Sequence, residues 1–134
     1  MIYRTKYFKL HELVDKETYE QYGQVAWQFL DERMLMALDQ LREALGPITV
    51  NNWKWGGQFQ WRGLRTSKCR QGAKMSQHRF GRAVDFDVKG MTAREVRAYI
   101  RKHFDDFGIA CIERKVNWVH MDFRNCKPLK EVSP

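Results

Sequence analysis

The chain has 134 residues, 43% hydrophobic and 30% charged, and its 24 Lys and Arg exceed its 16 Asp and Glu for a formal net charge of +8. That length supports one core, so a single domain is expected, and the apolar-to-charged balance excludes a chain dominated by disorder. No apolar run approaches the ~20 residues that span a bilayer, and residues 1–10 have neither the apolar stretch nor the small-residue cleavage site of a secretory signal.

In chain order, Tyr7, Phe8, Leu10, Leu13 and Val14 predict a short element laid on the core. The clearest helix falls at 31–45, where Met34, Leu38, Leu41 and Leu45 recur at helical spacing and Gly46-Pro47 ends it. Residues 48–51 read as a strand. Residues 53–72 mix Gly, Gln, Arg and aromatics and read as a long irregular loop, of a length that usually carries function. Residues 82–88 alternate, with Val84, Phe86 and Val88 on one face and Ala83, Asp85 and Asp87 on the other. Thr92 and Glu95 form a capping box that opens a second helix, and Gly108 is its expected stop. Strands are expected at 109–113 and 117–123, joined as a hairpin by a tight turn at 114–116, with Trp118, His120 and Asp122 facing one way. The expected fold class is α+β: a small, largely antiparallel sheet carrying two main helices.

Chemistry concentrates in two short stretches. His78 and Asp85 stand seven positions apart, and His120 follows on a later strand. Two imidazoles and one carboxylate hold a zinc ion and leave its fourth position open for water, the layout of a catalytic rather than a structural site. His11 and His103 lack such a setting, and His103, on the apolar side of its helix, reads as packing. Cys69, Cys111 and Cys126 are odd in number and outside any CxxC motif, so free thiols are expected. The basic excess, densest over 62–82, favours a polyanionic partner. With no helix-turn-helix, RNP or zinc-finger pattern, specific nucleic-acid binding is not expected.

The residues Ser76, His78, Gly81, Ala83 and Asp85, followed by Trp118, Val119, His120 and Asp122, resemble the zinc D-Ala-D-Ala metallopeptidases, which cleave bacterial peptidoglycan and include phage endolysins. The resemblance covers residues 51–124 and leaves 1–45 outside it. It implies a hedgehog-like zinc fold with the metal site on the sheet, zinc as cofactor, and His78, Asp85 and His120 as its ligands. Zinc would activate water and polarise the scissile carbonyl, with a carboxylate moving the proton. The family often keeps that acid three positions before the last ligand, where this chain has Asn117. Glu113 is the expected replacement and Asp122 the competitor, which by its spacing could instead orient a ligand; Asp87 shares that ambiguity. An Arg before the first ligand implies recognition of a substrate carboxylate, with Arg62 slightly preferred over Arg65, and Ser76 reads either as a peptide contact or as a turn former. Trp53, Trp55, Phe59 and Trp61 are candidates to line a groove. The implied role is a peptidoglycan peptidase, phage or prophage in setting and monomeric, made in the cytoplasm and reaching the wall by release or delivery. The alternative is a non-hydrolytic binding module of the same fold.

Overall fold

The computed structural model describes residues 3–134; Met1 and Ile2, which begin the stretch read for a secretory signal, lie outside the described residues. Helices α1 (Lys16–Tyr22), α2 (Glu32–Leu45) and α3 (Ala93–Phe107) accompany strands β1 (Ile48–Thr49), β2 (Ala83–Val88), β3 (Cys111–Glu113), β4 (Val119–Asp122) and β5 (Lys130–Val132). The strands form one mixed sheet in the order β1-β2-β4-β3-β5, antiparallel except where β3 runs parallel to β5. The fold is α+β. Among the described residues no helix is long and apolar enough to cross a membrane.

Local sequence sets the boundaries. The Asp31 carboxylate accepts from the Arg33 amide to cap α2, and Gly46, at φ 96°, closes it. The Thr92–Glu95 capping box forms in both directions, and Gly108 at φ 69° ends α3. Met34, Leu38 and Leu41 of α2 and Val96 and Ile100 of α3 join Val84, Phe86, Val119 and Met121 in one buried cluster. The helices therefore cover one face of β2 and β4, and the alternation in β2 turns Asp85 to the opposite face.

Five elements depart from the sequence expectations. Residues 48–51 form a shorter strand, because Val50 and Asn51 turn inward, Asn51 spending its amide on the Val14 carbonyl. Helix α1 and the 3-10 stretch Gly23–Phe29 carry little apolar periodicity, and β5 is a short, partly exposed edge strand without a readable pattern. The hairpin forms with Lys115 in the left-handed region, φ 64°, but β4 begins at Val119 rather than 117. Buried Arg97 of α3 donates to the Val116 and Trp118 carbonyls and fixes that turn against the helix layer.

Candidate active site

Strand register brings the motif together. Asp85 on β2 lies directly opposite His120 on β4, a pairing that holds their side chains within contact distance on the face away from the helices. His78 arrives from the 3-10 turn Gln77–Phe80, just before β2. Ser76 caps this turn by accepting from the His78 amide, 3.3 Å. Gly81 closes it at φ 71°, and a side chain there would run into the Phe29 carbonyl, so the motif glycine answers both backbone conformation and close approach.

The donor atoms are set by their partners. His78 Nδ1 lies 2.9 Å from the Gly63 carbonyl, which can only accept, so Nδ1 carries the proton and Nε2 faces Asp85 Oδ1 at 3.3 Å. His120 Nε2 meets Asp122 Oδ2 at 2.8 Å, and Nδ1 faces the same Asp85 Oδ1 at 2.8 Å. Asp122 is fully buried and takes two bonds from the Arg124 guanidinium, at 2.8 and 2.6 Å, which keep it anionic and fix the His120 ring from behind. Asp85 Oδ2 accepts from Arg65 at 3.2 Å.

The electrostatics suit a cation. Burial alone would lower the His120 pKa, but its bonds to Asp122 and Asp85 outweigh burial and push it up to about 9. Burial opposes the charge on Asp85, yet the bonds to His120 and His78 hold its pKa well below the carboxylate range. Burial likewise works against Asp122, and its bonds with His120 and Arg124 bring it down to about 2. One ligand atom each from His78, Asp85 and His120 lies within 4.8 Å of the others, with all three residues buried. Tetrahedral zinc would hold such atoms about 3.4 Å apart, and the two nitrogens, 3.3 and 2.8 Å from Asp85 Oδ1, fit the ion together with that oxygen.

The trio lies on a cleft of about 620 Å³ that Arg65, Ser76, Glu113, Trp118 and Arg124 also line. Glu113 ends β3 on this wall, whereas exposed Asn117 lines a neighbouring groove. Arg62 lies in that groove too, paired with Asp87 at 2.9 Å and stacked on Phe59. Trp53 and Trp55 lie elsewhere, packed around His11.

The family model of peptidase M15 matches residues 6–122. The chain belongs to the peptidase M15 family. No curated protein and no solved structure matches it. M15 peptidases are zinc D-Ala-D-Ala metallopeptidases acting on peptide substrates, so the protein is a metallopeptidase by family. The match begins far upstream of residue 51, where the motif resemblance starts, and the structure gives a reason. The Leu64 amide donates to the Leu13 carbonyl, a side chain on Gly63 would strike that carbonyl, and Gly63 orients His78. The N-terminal segment is thus the backing of a ligand, a role with no local motif to reveal it. Arg124 was equally hidden, since only its contact with Asp122 marks it.

Proposed function

We propose that this M15 metallopeptidase is a zinc-dependent peptidoglycan peptidase that hydrolyses a bond of the stem peptide or cross-link, in a phage or prophage lysis setting. The observation that carries the reading is the convergence of His78 Nε2, Asp85 Oδ1 and His120 Nδ1 on a cleft whose wall includes Glu113. His78, Asp85 and His120 would hold zinc, which when bound supplies an activated water and a Lewis acid for the carbonyl. Glu113 accepts the proton from the attacking water and returns it to the leaving amine. Asp122 acts through His120, holding its ring by Nε2, because its own carboxylate is spent on His120 and Arg124. Arg65 holds Asp85 by one nitrogen and, being on the cleft wall, is better placed than Arg62 to meet a substrate carboxylate.

The test is metal analysis followed by digestion of purified peptidoglycan, with products read by mass spectrometry. About one zinc per chain and new peptide termini are expected, and the termini name the bond. Asn117 at the usual acid position favours a second reading, a non-hydrolytic binding module. Zinc uptake with intact peptidoglycan at every pH tried would establish that module instead.

A further inference from the structure

The cleft does not end at the three ligands. A second groove of about 510 Å³ shares Arg65, Gln71, Asp85 and Trp118 with it and continues along the sheet past β2. Its walls combine aromatic faces with planar polar groups. Phe59 is 39% exposed, and Trp61 and Trp118 are half-buried. Gln58, Gln60 and Asn117 supply amides.

Charge separates the two compartments. In the groove Arg62 is neutralised by Asp87, and its guanidinium stacks 4.3 Å from the centre of the Phe59 ring. Arg65 and Asp85 border both compartments, and the main cleft adds the Arg124 guanidinium with His78 and His120. A carboxylate-bearing peptide end therefore belongs in the main cleft, and a neutral polar ligand in the groove. Aromatic faces take up the C–H face of a pyranose ring, and amide and ion-pair edges match its hydroxyl and acetamido groups, which both donate and accept.

We propose that the groove formed by Phe59, Trp61, Trp118, Gln60, Asn117 and the Arg62–Asp87 pair is a subsite for a neutral N-acetylated sugar of the glycan strand. This rests on the reading of the protein as a peptidoglycan peptidase, and it adds that the enzyme grips the glycan strand beside the point where the stem peptide is attached.

Two measurements test it separately from that reading. First, the zinc-loaded protein is titrated with the N-acetylglucosamine tetramer, following tryptophan fluorescence and the indole N–H resonances. Saturable binding that moves the Trp61 and Trp118 signals is expected, weakened about tenfold in Phe59→Ala, the upper range for one ring contact. Unmoved indole signals at saturating tetramer overturn the proposal. Second, kcat/KM is compared for a disaccharide-linked muropeptide and for the same stem peptide freed of sugar. The wild-type ratio should favour the linked substrate about tenfold and fall towards one in Phe59→Ala. A ratio of one in the wild type, or one that survives the substitution, overturns the subsite while leaving the peptidase intact. If neither substrate is cut, the peptidase reading falls and the titration alone decides the sugar site.

Discussion

His11 and His120 are both buried imidazoles, and their surroundings push them in opposite directions. His11 sits edge-on among Tyr19, Trp53 and Trp55, with ring centres 5.1 to 6.2 Å away. Burial, helped by Lys54 and Lys9, lowers its pKa, so it is held neutral as a packing ring. His120 meets a carboxylate at each ring nitrogen and is raised to about 9. Burial is common to the two sites. What distinguishes a place for a cation is anionic oxygen on the inner side of the ring and a second anion that fixes the ring from outside.

The largest effect that could break this contrast is at the ligands. His120→Ala, His78→Ala or Asp85→Ala should abolish hydrolysis and lower zinc content measured by elemental analysis. A fully metallated, active His120→Ala enzyme would remove the basis for the comparison. Next comes Glu113→Gln, which should keep its zinc and lose about 10²–10⁴ in kcat, as expected for a proton-transfer group. If Asp122→Asn lost as much kcat while Glu113→Gln lost none, the proton carrier would be Asp122.

A smaller effect is expected behind His120. Arg124→Ala and Asp122→Asn should weaken zinc binding about 10–100-fold in a chelator competition, with Arg124→Lys restoring part of it. Unchanged zinc affinity in all three would mean the ring needs no such support. The raised His120 pKa also gives a sign to pH. In the metal-free protein this group stabilises the fold fully below its unfolded value of 6.5, and that contribution is lost as pH rises through about 9. Zinc must displace the proton, so apparent affinity should rise with pH over the same window, by up to about tenfold per unit. Thermal melts with and without zinc should therefore diverge as pH rises. The smallest effect is His11→Ala, which should cost about 1–2 kcal/mol of stability in a denaturant melt and leave zinc content unchanged.

The ligand motif, the α2 and α3 helices and the central strand pair were legible because each is local: a capping box, a glycine stop, an alternation, a spacing of seven. The sheet's edge was not. β5 is three residues long and lies directly beside β3 in parallel, although β4 separates the two in sequence, so no nearby residue announces it. The aromatic loop divided in a way composition could not foretell. Trp53 donates to the Val14 carbonyl and turns to His11, while Phe59 and Trp61 line the groove beside Asp85. As two basic residues in a loop, Arg62 and Arg65 gave grounds for only a slight preference for Arg62, and it is their partners, Asp87 for Arg62 and Asp85 for Arg65, that give them different positions.

The segment that carries His78 also has an unusual charge. Between Asn51 and Val84 the chain has eight Lys and Arg and no Asp or Glu, so the rest of the molecule balances at sixteen of each. This one segment supplies half of the residues lining the main cleft. The protein's whole excess of positive charge therefore lies in the segment that also frames the cleft. Facing a negatively charged matrix, such a body is drawn in through that segment, and added salt slows its capture by shortening the reach of the attraction.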